Sequence, residues 1–528
     1  MTYLFFALFL ISLAGFGMVR INTILTYFQQ EEYDSSRFTG AVFRVRLYDV
    51  LATLGLIALF AAQHFIGLGP YVWLIAAGLL AAIALRERGY SYKKKLVATE
   101  RLKRIRRLAR GFYLLSLGLV IVHAYTALIV IQMIPLFIML ANRLLRPMQE
   151  QINQGFIDQA TDKLETFKPV TIGITGSFGK TTTKHILAEV LESAGPVFYS
   201  PGSINTVLGL TRNIREKLQR GHKHFIAEMG AYGIGSIKRL CDFCDPEVAI
   251  VTAIGDAHTE RFGSIKNIAR AKSELVEHVC ARGGPSVIPV EILAHKPFAD
   301  LKAAYPDLVK TVGHEESADF QITKAELEDG NWAIEIQPRS EPGAAPIHYT
   351  LPLLGDHNIL NSALSVVLTY LVSPQTASRI AAFSKDVEQV QHRLQKIDNP
   401  GQPLILDDAY NSNEIGFKNA VKVLRKLADQ RGGKAVLVTP GVAELGLEHD
   451  RVHNRLGQFA TEQCDTVIAI NPARIESFVS AIDQDRTDFH TRASFADARR
   501  LVGQITAEQD VVLYENDLPD LLEESRLL

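Results

Sequence analysis

The stretch G-I-T-G-S-F-G-K-T-T-T-K at residues 173–184 decides the fold, because it has the form of a phosphate-binding loop between a strand and a helix. A β-branched run at residues 170–175 leads into it, and residues 181–193 carry apolar side chains at helical spacing. A loop in this position directs backbone N–H groups and the positive end of a helix toward an anion. The stretch therefore predicts nucleotide binding in an α/β domain.

The loop also supplies candidate ligands for ATP and Mg²⁺. Its glycines stand at 173, 176 and 179, a variant of the common P-loop spacing, which would have glycine in place of Ile174. Lys180 is expected to reach the β- and γ-phosphates, and the hydroxyl of Thr181 or Thr182 to hold Mg²⁺. The predicted nucleotide-binding positions of the loop are Gly176, Ser177, Gly179, Lys180, Thr181 and Thr182.

Composition limits the alternatives. The 528 residues allow about three to four domains. A net charge of −1 gives no global field that would attract nucleic acid. Four scattered cysteines indicate a reducing compartment and no disulfide framework. Cys241 and Cys244 have redox or metal spacing, but they precede a buried-looking strand at residues 248–252, which favours a structural role.

Apolar stretches in the first 150 residues predict membrane spans. Residues 3–19 are just long enough to cross a bilayer, which takes about 17 to 25 residues. A cleaved signal peptide is the competing interpretation, but no basic region precedes this run and no small-residue cleavage site follows it, which favours a retained anchor. Residues 51–68 and 70–85 form a predicted membrane hairpin around a Gly-Pro turn.

A further apolar stretch at residues 112–145 is too long for one span. Two helices turning near residues 123–126, and one helix followed by an interfacial segment after Pro135, both fit it. The chain is therefore predicted to have four or five transmembrane helices.

A basic segment at residues 86–110 lies between these spans and sets the topology. Its charges are Lys93, Lys94, Lys95, Arg101, Lys103, Arg104, Arg106 and Arg107. The positive-inside rule places them in the cytoplasm, together with everything after about residue 147. A role as topology determinant is favoured over contact with anionic lipid headgroups, and nucleic-acid binding is not expected.

Strands and helices alternate from residue 171 onward, which predicts a mostly parallel sheet with helices on both faces. The apolar runs at residues 225–228 and 248–254 end in polar residues, where open α/β sheets place their ligands. Glu228 ends one run and His258 follows the other. A carboxylate and an imidazole beside a phosphate site predict a divalent metal site.

Further motifs give a specific resemblance. With A-E-M-G-A at 227–231, A-I-G-D-A-H at 253–258 and N-I-A-R-A-K-S-E-L at 267–275, the loop resembles the central domain of the Mur ligase superfamily. The likeness is greatest to the last peptide-adding ligases of cell-wall precursor synthesis. The resemblance implies that Lys272 is carbamylated and helps hold a second Mg²⁺. It makes Lys180, Glu228, His258 and Lys272 the catalytic residues, with Thr181, Glu228, His258 and Lys272 as metal ligands.

The resemblance continues through the nucleotide-binding region. It implies that Asn358 meets the base, Arg393 contacts phosphate or ribose, and Asp408 and Asn411 lie on the ribose side. The block at residues 441–446 with His453 also matches, with its role open. We expect a membrane domain at 1–147, a central ATP-binding domain at 148–392 and a Rossmann-like C-terminal domain at 393–528.

Three features depart from the superfamily's pattern. Membrane spans stand where its N-terminal domain binds a uridine nucleotide carrier. The K-G-S-R-like segment near the C-terminus, which helps bind the incoming amine in the close relatives, is absent, because the comparable strand is followed here by Y-E-N-D-L-P at residues 514–519. Glu414 replaces a common proline, and Pro440 stands where a Gly-Asp pair is frequent.

The expected function is an ATP-dependent amide ligase of the cell envelope. It activates a carboxylate as an acyl phosphate and joins it to an amino acid or dipeptide. The membrane domain predicts a plasma-membrane protein with cytoplasmic catalytic domains and an acceptor at the bilayer, small, lipid-linked or polymeric. A poly-γ-glutamate synthase-like ligase is the alternative. An ATP-driven transporter or scaffold is disfavoured, because the apolar cores nearly lack Asp and Glu. The oligomeric state stays open.

Overall fold

The computed structural model describes residues 1–31, 33–44, 49–90, 96–255, 262–328, 331–341, 343–384, 387–389, 392–409, 413–443, 445 and 448–516. The chain divides into two compact units, one from Met1 to Asn153 and a second that begins at Gln154.

The N-terminal unit is helical. Its helices are Thr2–Gln30 (α1), Ser35–Arg44 (α2), Leu51–Ile66 (α3), Tyr71–Arg88 (α4), Glu100–Val122 (α5), Ala127–Gln132 (α6) and the first part of Ile134–Phe167 (α7). A helix–turn–helix is present at the predicted hairpin, because α3 ends at the left-handed Gly67 and α4 begins after Pro70. Its insertion into a membrane stays a prediction. Between α5 and α6 lies a 3₁₀ turn at Ala124–Thr126, where one of the two interpretations places a turn. A second break separates α6 from α7 at Met133, so residues 112–145 contain parts of three helices.

Among the described residues, α1 is long and apolar enough to cross a membrane by itself. A second candidate span would require two consecutive helical segments together, Ala124–Gln132 and Ile134–Phe167. These segments are bent by 57° at their junction. The apolar helix α3 has 16 residues, short of a full span. Length and composition thus support one or two crossing helices, and the larger number of four or five stays a prediction.

The second unit contains a nine-stranded sheet. Its strands are Val170–Thr175 (β1), Val197–Tyr199 (β2), His224–Glu228 (β3), Val248–Val251 (β4), Ser286–Pro289 (β5), Val309–Gly313 (β6), Phe320–Glu328 (β7), Asn331–Pro338 (β8) and Ile347–Leu351 (β9). The spatial order is β2-β3-β1-β4-β5-β6-β7-β8-β9. Pairing is parallel from β2 to β7 and antiparallel from β7 to β9. The predicted, mostly parallel sheet is confirmed.

Helices cover both faces of this sheet. They are Lys180–Leu191 (α8), Val207–Lys217 (α9), Ser236–Cys244 (α10), Ile265–Ala281 (α11), Lys296–Ala304 (α12), His357–Val372 (α13) and Ala377–Phe383 (α14). On one face, Ile172 and Ile174 pack with α8 and α13, and on the other, β3 packs against α9, α10 and α11. The two apolar layers hold the sheet between them. Because β1 pairs in parallel with both β3 and β4, the carboxyl ends of these three strands lie side by side.

A six-stranded sheet follows. Its strands are Gln395–Ile397 (β10), Leu404–Asp408 (β11), Ala435–Thr439 (β12), Thr466–Ile470 (β13), Asp488–Arg492 (β14) and Val511–Glu515 (β15). In the order β10-β11-β15-β12-β13-β14, every pairing except the first is parallel. The associated helices are Glu414–Arg431 (α15), His449–Gln463 (α16), Glu476–Val479 (α17) and Phe495–Ile505 (α18). The Rossmann-like prediction for this region is confirmed.

Glu414, which replaces a proline of the superfamily pattern, links two helices of this domain. From α15 its carboxylate accepts hydrogen bonds from Arg455 Nε and Nη2 of α16, at 2.8 and 2.6 Å, and from Lys418 Nζ at 2.8 Å. These contacts, those of Arg455 first, lower the pKa of Glu414 to about 2. The substitution therefore adds a forked ion pair that proline could not form.

We expect Glu414→Gln to lower the thermal midpoint of the full chain by about 2–4 °C near neutral pH. Because the folded-state pKa is lowered, the ion pair stabilises the protein above the ordinary carboxyl pKa and is lost as the pH falls toward about 2. The difference in thermal midpoint between Glu414→Gln and the wild type should therefore become smaller as the pH falls. The control is Glu448→Gln, whose exposed pairing with Arg451 at 3.4 Å should contribute almost nothing. Equal shifts for both variants would contradict the assignment.

Candidate functional site

The glycine-rich loop connects β1 to α8 and lies against two neighbouring segments. Gly179 has φ 82°, and a Cβ at that position would come within 2.8 Å of Asn361 Oδ1. A Cβ on Gly176 would collide with the Thr252 hydroxyl. Both positions therefore require glycine. Backbone pairing holds the loop in place, because Ser177 N donates to Ala253 O at 2.8 Å.

Lys180 is the first residue of α8, and its side chain lies over the loop. Its Nζ donates to the carbonyl oxygens of Gly176, at 2.7 Å, and Ser177, at 3.4 Å. Burial lowers the pKa of Lys180, and the Glu228 carboxylate opposes that shift. The ammonium group therefore lies within the turn in which a P-loop holds phosphates, and its contact with the β- and γ-phosphates stays a prediction.

Glu228, the last residue of β3, forms the centre of a buried polar cluster. Its carboxylate accepts from Thr181 Oγ1 at 3.1 Å, from Asn205 Nδ2 at 3.3 Å and from Lys184 Nζ at 3.0 Å. Of the two candidate hydroxyls, that of Thr181 is buried beside Glu228, whereas Thr182 is half-buried. This arrangement favours Thr181 as the metal-holding hydroxyl.

Lys184 carried no predicted role, although it closes the quoted loop stretch. It is fully buried and also donates to the carbonyl of Gly202. Burial lowers the pKa of Lys184, and Glu228 opposes the shift. Lys184 lies four residues after Lys180, so both lysines are on one face of α8. That spacing could have indicated from the sequence that Lys184 belongs to the site.

Lys272 of α11 reaches the same loop from the other face of the sheet. Its Nζ donates to Gly176 O at 2.8 Å, and the residue is 3% exposed. Burial, with a smaller effect of Lys180, holds the pKa of Lys272 well below its ordinary value. The sequence alone would describe a solvated helix lysine, so the fold places this amine at the site as the resemblance implied.

Asn358 and Asn361 lie in the first turns of α13 and are nearly buried. Asn358 Nδ2 donates to Leu354 O at 2.6 Å, and its Oδ1 accepts from Asn361 Nδ2 at 3.2 Å. Because Asn361 also lies against Gly179, the start of α13 is held beside the loop. Asn361 had no predicted role.

Arg393 and Asp408 bring the C-terminal domain to the site. Arg393 lies within electrostatic reach of Lys180 and Asp408. Its positive charge adds to the burial that lowers the pKa of Lys180, and it opposes the effect of burial on the pKa of Asp408. Asp408, at the end of β11, accepts from Leu394 N at 3.0 Å. Burial outweighs the effect of Arg393 and raises the pKa of Asp408 to about 6.

His453 and Arg474 hold the loop that follows β12. The buried His453 accepts from Val442 N at 3.1 Å through Nε2, and burial lowers its pKa to about 4. Arg474 donates to the carbonyls of Pro440 and Val442 at 2.6 and 2.7 Å. The motif at residues 441–446 with His453, whose role the sequence left open, therefore holds the loop after β12 in place. The carbonyl of Pro440 is one of the hydrogen-bond acceptors in that loop.

Two predicted site residues, His258 and Asn411, lie outside the described residues, so their roles stay predictions. Cys241 and Cys244 are buried on α10, and burial raises the pKa of Cys241 to about 12. No cluster of three or more His, Cys, Asp or Glu suited to a metal occurs in the part of the chain that the structure describes. These observations favour the structural interpretation of the cysteine pair.

A P-loop variant at the carboxyl edge of a parallel sheet, followed by a Rossmann-like domain, defines the class of this chain as an α/β nucleotide-binding protein. Two family models match it: "Mur ligase middle domain" over residues 174–369, and "Mur ligase, glutamate ligase domain" over residues 392–514. The chain belongs to the Mur ligase superfamily.

Curated relatives are similar over part of their length. The UDP-N-acetylmuramoyl-tripeptide–D-alanyl-D-alanine ligase of Escherichia coli is 28% identical over 55% of this chain and 61% of its own. The ligase of that name from Mycobacterium bovis is 30% identical over 55% of this chain and 56% of its own, and that from Bacillus subtilis is 26% identical over 67% and 74%. The chain thus spans little more than half the length of the first two.

Solved structures share the fold. MurF from Acinetobacter baumannii has a TM-score of 0.58 at 23% identity, covering 70% of this chain and 81% of its own. MurF ligase from Thermotoga maritima in complex with ADP has a TM-score of 0.58 at 24% identity, covering 69% and 80%. The names of these relatives and structures confirm the predicted likeness to the last peptide-adding ligases of cell-wall precursor synthesis.

Proposed function

We propose that this protein is a membrane-anchored, ATP-dependent carbon–nitrogen ligase of cell-envelope synthesis. The observation that carries the proposal is the convergence of three charged side chains on one loop. Lys180 and Lys272 both donate to Gly176 O, and Glu228 reaches the first turn of α8 through Thr181. Three ionisable side chains that meet at a phosphate loop, with Glu228 and Lys272 buried, form a site for handling further charge rather than for packing.

The residues present fit ATP and a divalent cation. Thr181 and Glu228 offer a hydroxyl and a carboxylate oxygen 3.1 Å apart, and oxygen ligands are those that Mg²⁺ prefers. A bound Mg²⁺ would neutralise phosphate charge. In the described structure the Lys184 ammonium supplies the positive charge beside Glu228, at 3.0 Å. His258 is the further proposed ligand.

In the proposed reaction, a carboxylate oxygen of the acceptor attacks the γ-phosphorus of ATP, and ADP leaves. An amine then attacks the acyl phosphate carbon, loses a proton and displaces inorganic phosphate. Lys180 stabilises the charge that develops on the phosphate oxygens. Asn358, Arg393, Asp408 and Asn411 orient the nucleotide.

Lys272 is proposed to act as its carbamate. Carbamylation requires the neutral amine, which attacks CO₂ and loses a proton. Burial holds the pKa of Lys272 well below its ordinary value, which favours that neutral form. The product carries a carboxylate end suited to a second Mg²⁺.

Membrane anchoring rests on exposed apolar side chains of the N-terminal unit. Leu115 and Val122 on α5 are 78% and 86% exposed, and Leu136, Leu140 and Leu144 on α7 are also exposed. Water-soluble proteins rarely leave such continuous apolar surfaces uncovered. We therefore propose an acceptor carboxylate at the bilayer, lipid-linked or polymeric, and catalytic domains on the cytoplasmic side.

Purified full-length protein in detergent should release ADP and form an amide only when both an acceptor and an amine are supplied. The first substrates to test are the UDP-muramoyl-tripeptide and D-alanyl-D-alanine named for the relatives. Amino acids and a bacterial lipid extract follow. Stimulation by one amine together with lipid would support the bilayer acceptor. Full activity with the soluble UDP-peptide alone would contradict that part, and ATP hydrolysis without any amide would contradict the ligase.

A further inference from the structure

A cleft between α5 and α7 in the N-terminal unit has no part in the proposed chemistry. It is lined by Arg101, Arg104, Ile105, Asn142, Leu145 and Gln149. We call it the α5–α7 cleft. Its enclosed volume is about 10 Å³, which is room for about one water molecule. A ligand would therefore lie against the open side of the cleft rather than enter it.

Neutral amides hold the two guanidinium groups of the cleft. Arg101 Nη2 donates to Asn142 Oδ1 at 3.1 Å, and Arg104 Nη2 donates to Gln149 Oε1 at 3.1 Å. An amide oxygen orients a guanidinium without neutralising it. Each arginine has five N–H donors in a fixed fork, so donors remain for an anion.

Two other basic residues of the same helices pair with carboxylates. Lys103 pairs with Glu100 at 2.6 Å, and Arg146 pairs with Glu150 at 2.7 Å. Among the described residues, no carboxylate lies within ion-pair distance of either cleft arginine. The cleft therefore holds two guanidinium groups that can accept an anion as a direct partner.

The cleft is also preorganised. The Arg101 guanidinium lies 4.2 Å from the centroid of the Tyr33 ring, and Asn142 Nδ2 donates to Tyr33 O at 3.1 Å. Gln149 Nε2 donates to Asn153 Oδ1 at 2.7 Å. Fixed side chains lose little entropy when a ligand arrives, which favours specific binding over diffuse attraction.

An apolar surface begins beside the cleft. On α7, Leu144 is 57% exposed and adjoins Leu145 of the lining, and the exposed Leu136 and Leu140 continue the apolar surface. On α5, the basic residues end at Arg110, and exposed apolar side chains follow from Leu114 to Val122. Two positive charges next to an apolar helix surface are complementary to a lipid, whose phosphate is anionic and carries acyl chains.

We propose that the α5–α7 cleft binds the phosphate of an anionic membrane lipid through Arg101 and Arg104, with Leu144 and Leu145 against the start of the acyl chains. The proposal rests on the membrane association included in the proposed function, but not on ligase activity. It assigns the basic segment a binding role beyond topology.

The test is a lipid titration of the full chain in detergent, followed by native mass spectrometry, with phosphatidylglycerol, phosphatidylcholine and inorganic phosphate as probes. Phosphatidylglycerol should bind best. The double variant Arg101→Gln, Arg104→Gln should bind it at least about tenfold more weakly, because charge-assisted hydrogen bonds are lost. The matched control is Arg106→Gln, Arg107→Gln, which removes the same charge outside the cleft lining.

The control should stay within about threefold of wild type, since it leaves the cleft contacts intact. Equal losses in both double variants would overturn the proposal, as would equal binding of phosphatidylcholine or displacement of the lipid by inorganic phosphate at the same concentration. If the cleft variant fails to fold, Arg104→Gln alone carries the test, with the same expected direction. Failure of the ligase would appear separately, as ATP hydrolysis without amide formation in the substrate assay, whatever the lipid titration shows.

Discussion

Lys180→Ala is expected to reduce amine-dependent ADP release by about a hundredfold or more. The ammonium lies within the loop, 2.7 Å from Gly176 O, where it faces the phosphates that the loop would hold. Lys184, the other lysine on the same helix face, is engaged by Glu228 and Gly202. Lys272 also donates to Gly176 O, but it comes from α11 and has the separate proposed role of a carbamate. The loss should therefore appear in kcat/KM, measured by coupled ADP detection under saturating Mg²⁺.

The matched control for this prediction is Lys217→Ala, an exposed lysine in the last turn of α9 in the same domain. It should retain wild-type turnover. Thermal midpoints of both variants should stay near that of the wild type, since neither change opens an apolar cavity. Full activity of Lys180→Ala would contradict the proposed role of the loop in catalysis.

Lys272→Ala is expected to cause a second loss of about a hundredfold or more, because it removes the proposed carbamate and its charge. The readout that separates this role from packing is carbamylation itself. With ¹³C-labelled bicarbonate, the wild type should show a carbamate carbon signal that Lys272→Ala lacks. Activity of CO₂-depleted enzyme should fall and return when bicarbonate is added.

The control here is Lys238→Ala on α10, an exposed lysine paired with Asp242. It should keep both the signal and the activity. An unchanged carbamate signal in Lys272→Ala would place the modification elsewhere, and activity that ignores bicarbonate would exclude the carbamate from catalysis.

The centre of the site could be predicted from sequence because its determinants are local. The loop glycines, the β-branched run and the helical spacing specify β1 and α8 almost to the residue. Glu228 followed from the rule that ligands gather at strand ends. The predicted strand at residues 248–254 ends earlier, at Val251, because Thr252 and Ala253 instead bond the loop.

Other parts depend on long-range packing, which a linear pattern does not contain. Lys184 is buried only because β3 brings Glu228 over the first turns of α8. Lys272 approaches Gly176 from another helix, 96 residues along the chain. The antiparallel strands β8 and β9 extend the central sheet without a distinct signal in the sequence. The number of spans stays a prediction because composition does not separate bilayer contact from helix packing.

One measurement tests the central claim, carboxylate activation by ATP, most directly. The acceptor that supports amide formation is labelled with ¹⁸O in its carboxylate and incubated with the full chain, ATP, Mg²⁺ and the amine. The account predicts that one ¹⁸O atom per amide formed appears in inorganic phosphate, with one ADP released. Unlabelled phosphate, or ADP release without amide, would contradict it.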